Sequence, residues 1–205
     1  MFVLCLVPLC WIVWDAFDGN LGANPVEEMT HRTGDWVLRF LLITLAITPL
    51  RQVFKWPELV RLRRMLGLFV FFYVCLHFLI YIVFDHFFDL NDIVEDIVKR
   101  PYITVGFSAF ILLIPLVITS TNKMMKRLGG NWKKLHQLVY VIATLGILHF
   151  LWLVKADVFE PFVYGSILLV LLGYRAWKDA LLRREKLKKT QMEAHNSIEN
   201  RAFDS

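Results

Sequence analysis

The residues of this chain best equipped for chemistry are its six histidines: His31, His77, His86, His136, His149 and His195. Imidazole binds metal through a bare ring nitrogen and changes charge near neutral pH. His77, His136 and His149 lie within or at the edge of long apolar runs. A polar ring in hydrocarbon costs free energy, so an intramembrane histidine is a functional hypothesis by default. The competing structural reading is a neutral histidine hydrogen-bonded across helices. His31 and His86 fall in acidic loops and His195 in the tail, and these three read as solvated surface histidines. The three cysteines, Cys5, Cys10 and Cys75, sit in apolar runs with no CxxC pattern. They read as small core residues, without a disulfide framework or a zinc site.

The elements that must position these histidines are membrane spans. Hydrophobic residues make up 57% of the 205, above the roughly 45–50% of soluble domains, and mean hydropathy is +0.53. A spanning helix needs about 20 mostly apolar residues. Met65–Phe84, Tyr102–Ser120 and Leu135–Val154 meet this without any Asp, Glu, Lys or Arg. Asp35–Leu50 and Phe162–Leu182 are two further spans with charges near one end. Met1–Trp14 reads as a first span with a short start, since it lacks the basic segment and cleavage site of a signal peptide. A porin-like barrel is excluded, because its strands alternate apolar and polar residues.

The connections alternate in charge. Asp15–Thr33 holds four acids and one arginine, and Asp85–Arg100 five acids and two bases. Arg51–Arg64 holds five bases and one acid, Thr121–Lys134 five bases, and Arg175–Thr190 seven bases and two acids. Basic loops stay in the cytoplasm. The expected fold is therefore all-α, a six-helix transmembrane bundle with both termini cytoplasmic. Residues 1–182 form its membrane domain and 183–205 a basic polar cytoplasmic tail, frayed beyond about Thr190. The net charge of +5 flanks apolar runs and forms no nucleic-acid module.

Span order then sets depth. His77 lies 12 residues into the third span and His149 14 into the fifth. At about 1.5 Å per residue these depths are roughly 18 and 21 Å. Both spans run outward, so the two imidazoles share a level in the outer half of the membrane. Two neutral imidazoles at one level on neighbouring helices suit a six-coordinate haem iron, its flat apolar ring lying between helices 3 and 5. Gly146, one turn before His149, leaves room for such a ring. Tyr73, Phe78, Tyr81, Phe150 and Trp152 surround both positions. His136 sits about 20 Å below His149 if the helix is continuous, too far for the same iron. A second haem there calls for a partner histidine near position 63 or 64, where the sequence has Arg63 and Arg64. Arginines beside a histidine suit an anionic ligand such as a flavin phosphate, or are simply positive-inside residues. Proton transport, the rival use, wants carboxylates or broken helices at the midplane, and the later spans hold carboxylates only near their ends.

Six stretches carry a resemblance: "ITPLR" (Ile47–Arg51), "RLRRMLGL" (Arg61–Leu68), "LH" (Leu76–His77), "KRPYITVG" (Lys99–Gly106), "ITSTN" (Ile118–Asn122) and "LGGNWKKLHQLVY" (Leu128–Tyr140). In order and spacing, over about Leu21–Leu182, they resemble the MsrQ (YedZ) family. More distantly the pattern is similar to the ferric-reductase transmembrane superfamily, which includes the NADPH oxidases. Those relatives carry two histidines on each of helices three and five; this chain has one on helix three. The resemblance implies an inner-membrane, non-catalytic electron-transfer subunit that binds haem b and FMN, with His77, His136 and His149 haem-associated. It implies electrons drawn from the quinone pool or a cytoplasmic flavin reductase. They would pass to a periplasmic molybdopterin-dependent subunit of the MsrP type, which reduces methionine sulfoxide in oxidised proteins. It also implies an earlier start for the first helix. Alternatives are a ferric-reductase-like protein acting on external metal, a histidine-bearing transporter, and a haemless scaffold. The acidic Asp85–Asp96 segment is a docking surface for a partner or ordinary solvated loop charge.

Overall fold

A computed structural model of the chain describes residues 1–154 and 158–203, with side chains to residue 193. His195 lies outside the residues whose side chains are described. The described chain is all-helical: α1 (Phe2–Asp18), α2 (Pro25–Phe54), α3 (Leu59–Ile80), a π-helical turn (Tyr81–Asp85), α4 (Leu90–Lys99), α5 (Pro101–Ile118), α6 (Asn122–Leu128), α7 (Gly130–Leu135), α8 (Leu138–Leu153) and α9 (Phe159–Phe203).

Local chemistry sets the helix starts. Asn24 caps α2, its side chain accepting from the Glu27 N–H, with Pro25 in the first turn. Asp89 caps α4 through the N–H groups of Asn91 and Asp92, and Thr121 caps α6 through Met124. Proline opens α5 as well, at a position where its missing N–H would be unpaired anyway. Gly129, between α6 and α7, has φ 51° and ψ −124°, a region closed to side chains with a Cβ.

Five stretches are long and apolar enough to cross a membrane: Pro25–Phe54, Leu59–Asp85, Pro101–Ile118, Gly130–Leu153 and Phe159–Glu193. The six-span expectation therefore stands at five by length and composition, because α1 has 17 residues. Its placement is nonetheless defined. The Tyr73 hydroxyl donates to the Cys5 carbonyl at 2.8 Å and accepts from the Leu9 N–H at 3.1 Å. It stands inside an i→i−4 bond of α1 and ties that helix to α3. An Asp15–Arg32 ion pair joins α1 to α2. Tyr73 thus faces α1, whereas the sequence placed it beside the histidines.

Residues Met1–Leu168 form one compact unit, and α9 from Leu169 onward a second. Within the first, α2 packs along α3 and α5 along α8, and the two pairs meet through α3 with α5 and α2 with α8. α2 is the most enclosed span, 39% buried against 22% or less for the others. Apolar side chains facing outward are what a bilayer solvates. Arg39, inside α2, is held by the Tyr164 hydroxyl at 2.9 Å and Asp35 at 3.4 Å, with its guanidinium 5.0 Å from the Trp36 ring.

Two expectations change here. The fifth span is not one straight helix: α7 ends at Leu135, His136 is its cap, and α8 begins at Leu138. The single-axis geometry assumed for His136 and His149 does not apply. The tail also continues as helix to Phe203 rather than fraying after Thr190. Its run of Arg, Lys, Glu, Gln, Met and Ala consists of good helix formers.

Candidate functional site

The structure brings two of the three candidate histidines together. His77 on α3 and His149 on α8 have ring centroids 6.2 Å apart with the rings near perpendicular, at 88°. Each is anchored through Nδ1 to a backbone carbonyl of a third helix. Nδ1 of His77 lies 3.0 Å from the Thr30 carbonyl of α2 and 3.4 Å from the Thr33 hydroxyl. Nδ1 of His149 lies 2.7 Å from the Tyr102 carbonyl of α5. A carbonyl only accepts, so both rings carry their proton on Nδ1 and leave the Nε2 lone pair free. This is how ligating imidazoles are oriented: one nitrogen held by a hydrogen bond, the other presented to metal.

Both rings open onto a cavity of about 540 Å³, within the roughly 300–1,000 Å³ usual for cofactor sites. Its wall includes Leu38, Val70, Phe107, Phe110, Ile142 and Phe150, an apolar lining suited to a porphyrin. Two imidazoles that shared one iron would have their ring centres about 6 Å apart, from two bonds of about 2 Å and about 1 Å of ring on each side. The observed separation fits one shared iron. Among the described residues no group of three or more His, Cys, Asp or Glu could hold a bare metal ion. Two axial donors are what a porphyrin iron asks of a protein.

Glycine makes this arrangement possible at Gly106. A Cβ there would lie 2.7 Å from Nδ1 of His149, so no other residue lets α8 approach α5 with this hydrogen bond intact. Gly34 does the same more loosely, its Cβ position 3.3 Å from His77 Cε1. Gly146 lines the cavity, but its missing Cβ chiefly admits Leu38 of α2, at 3.2 Å. Phe78, Tyr81 and Phe150 line the cavity as expected, while Trp152 is 50% exposed and points away from that role.

His136 is elsewhere. It does not line the cavity. Its ring stacks on Trp132 at 4.0 Å, and Nδ1 meets the Trp132 carbonyl at 3.1 Å. Its Nε2 is buried without a well-aligned hydrogen bond, and the Leu116 backbone lies close to the ring. Arg63 is near enough to act on it electrostatically. Arg64 donates to the Asn122 side chain, and Trp132 Nε1 donates to the Thr119 carbonyl. Stretches far apart in sequence thus meet at the basic end of the bundle: 61–68, 118–122 and 128–136.

His86 overturns a reading. It is not a solvated loop residue: its side chain is 15% exposed, with Nε2 3.3 Å from Asp96 Oδ2. His31 is exposed, as expected, but it stands in α2 and not in a loop, at the edge of the cavity.

Residues 33–147 match the family described as the ferric reductase like transmembrane component. A curated relative in Herminiimonas arsenicoxydans, the protein-methionine-sulfoxide reductase heme-binding subunit MsrQ, is 57% identical over 184 residues, covering 87% of this chain and 84% of its own. The chain belongs to the MsrQ family. A member in Rhodospirillum rubrum is 53% identical, covering 85% of each chain, and one in Caulobacter vibrioides 48%, covering 87% and 85%. No solved structure matches the chain. With five candidate spans and this membership, it is a multi-pass membrane protein. The ferric-reductase-like region of this MsrQ-family chain includes His77 and His136 and stops two residues before His149.

Sequence reasoning missed Thr30, Thr33, Gly34, Gly106 and the Tyr102 carbonyl as parts of the site. Gly34 and Gly106 left a signal, being glycines inside or just outside apolar spans near the level of the histidines. A backbone carbonyl leaves none.

Proposed function

We propose that this chain is a haem-binding electron-transfer subunit of the bacterial inner membrane, working with a periplasmic methionine sulfoxide reductase. The observation that carries it is the His77–His149 pair, each Nδ1 satisfied and each Nε2 free, 6.2 Å apart on one cavity. The relatives' name, heme-binding subunit of a protein-methionine-sulfoxide reductase, supplies the ligand and the kind of partner. Bound haem b gives the site a centre that takes and returns one electron. The protein's part is to hold the two imidazoles upright, to keep water from the cofactor faces with Phe107, Phe110 and Phe150, and to fix the tautomers through Thr30 and Tyr102.

In this reading α1 is a sixth span, both termini are cytoplasmic, and the acidic loops face the periplasm. Residues 1–182 are the haem-binding transmembrane domain and 183–205 a cytoplasmic tail. The cavity mouth then lies at the outer face, lined by Asn24, Glu27, Asp85 and Arg100. Electrons enter at the basic end, from a quinol or a cytoplasmic flavin reductase. His136 belongs to that entry, where Arg63 and Arg64 suit the phosphate of FMN. Its buried Nε2, without a well-aligned hydrogen bond, and the neighbouring Arg63 support a ligand there. A periplasmic molybdopterin subunit of the MsrP type receives the electrons and performs the sulfoxide chemistry in repair of oxidised proteins. Asp92, exposed on α4, is the carboxylate placed to steer it, while Glu95, also exposed, is paired with Lys99.

The test is an absorption spectrum with haem stoichiometry. Purified protein is expected to show a low-spin b-type spectrum with split reduced bands. His77→Ala and His149→Ala lose that haem; His136→Ala retains it. Complete loss in His136→Ala with none in His149→Ala would overturn the pairing, and colourless wild-type protein would favour the transporter. The ferric-reductase-like match supports one second reading, direct reduction of external ferric chelate. Reduced protein that turns over ferric chelate without a partner would establish it.

A further inference from the structure

At the cavity's outer mouth stands a polar cluster that neither haem ligation nor docking uses. Asp96 of α4 is its centre, with a side chain 13% exposed. Its Oδ2 accepts from the Tyr81 hydroxyl at 3.1 Å and meets His86 Nε2 at 3.3 Å, while its Oδ1 takes Arg100 Nε at 2.6 Å. The Tyr81 and His86 rings lie 4.5 Å apart. All four residues line the cavity that holds His77 and His149.

The backbone is bent out of its way to build this. α3 passes into a π turn at Tyr81–Asp85, and π turns interrupt α-helices most often at functional sites. Phe87 and Phe88 follow with φ 47° and 64°, the left-handed region that side chains avoid. The Phe88 N–H closes back on the Ile82 carbonyl at 3.0 Å. The result turns His86 inward onto Asp96, while Phe87 and Phe88 stay exposed.

Within the cluster the charges of Asp96 and Arg100 offset each other. Asp85 beside it, and Glu27 of α2, add negative charge at the mouth; His31 of α2 is the other titratable ring there. His86 is the inward-turned imidazole of the cluster, a ring that can carry a proton on one nitrogen or on both, with Nε2 against Asp96. We propose that His86 is a redox-linked proton acceptor: as the cofactor between His77 and His149 gains an electron, His86 takes a proton from the outer water, and both leave on reoxidation. Each added electron makes the cavity one charge more negative. Across a poorly screening interior that charge favours the imidazolium. One electron and one proton enter together, so the site's net charge is kept. This rests on the haem reading above and assigns its coupling to outside pH.

Potentiometric titration of haem-loaded protein between about pH 5 and 8 tests it. The midpoint potential is expected to fall as pH rises, with a slope approaching about 59 mV per pH unit, one proton per electron. His86→Gln should keep the haem spectrum and flatten the slope, and His31→Gln should leave the slope in place. Should His86→Gln not accumulate, Asp96→Asn serves: removing the carboxylate moves the sloping window to lower pH. A flat wild-type titration, or a slope unchanged in His86→Gln, overturns the proposal. Protein that binds no haem overturns the earlier reading instead, so the two failures are distinct.

Discussion

Gly106 takes part in no chemistry, yet it decides where His149 stands. A methyl group there meets the ring nitrogen that Tyr102 holds. Gly106→Ala is therefore expected to weaken haem binding roughly tenfold to a hundredfold, the usual penalty for disturbing a ligand's supporting bond. Haem titration of the apoprotein reads this directly; affinity equal to wild type would show that α5 gives way instead. Of the residues at the site, the ligand candidates were the legible part. Depth alone put His77 and His149 at one level, because span length and loop charge fix both coordinates. Thr30 and Tyr102 were invisible because they contribute carbonyls, which every residue has. His86 was misread because its partner, Asp96, arrives through a backbone distortion that hydrophobic periodicity does not encode.

Elements were legible where an apolar run is long and illegible where helices are joined. The later spans fall on the runs in the sequence, but α2 begins at Pro25, ten residues before the expected Asp35, because Asn24 and Pro25 start a helix inside the acidic stretch. The break at His136 does not show there, since Leu135–Val154 reads as one continuous run, whereas α7 ends at Leu135 and α8 begins at Leu138. α1 lies in position through Tyr73, whose hydroxyl bridges the Leu9 N–H and the Cys5 carbonyl. Tyr73→Phe lets those two backbone groups pair again, so the expected loss is modest, about 1 kcal/mol. Thermal unfolding in detergent measures it, and haem content should not change. Gly129→Ala has no such repair, because φ 51° and ψ −124° are closed to alanine. It should cost about 1–3 kcal/mol, and an unshifted unfolding midpoint would show that the α6–α7 corner relaxes.

At the scale of the whole molecule, charge and cavity agree on a direction. The acidic connections gather at the end where the His77–His149 cavity opens, and the basic connections Arg51–Arg64 and Thr121–Lys134 at the end that holds His136, Arg63 and Arg64. A fluorescent protein inserted at Asp92 should stay dark, as such reporters do when exported, while one fused after Thr190 should glow. Fluorescence at both places would invert the topology and, with it, the route of the electron. On the proposed topology, a pair of imidazoles near the outer face would leave the inner half of the bundle to a second carrier. Stoichiometry of haem and flavin per chain is the measurement that fixes how the gap is bridged.

The π turn has a further consequence. Such a turn holds one residue more than an α-helical turn needs. The chain can therefore lose a single residue between Tyr81 and Asp85 without shortening the span, simply by relaxing into regular helix. The register beyond would rotate by about 100°, taking His86 away from Asp96 while His77, upstream, stays put. A one-residue gap in an MsrQ-family sequence at this place would thus mark a protein that keeps its cofactor ligands and lacks the rim. Comparing length variants across the family at this one position becomes a way to separate electron carriage from proton coupling.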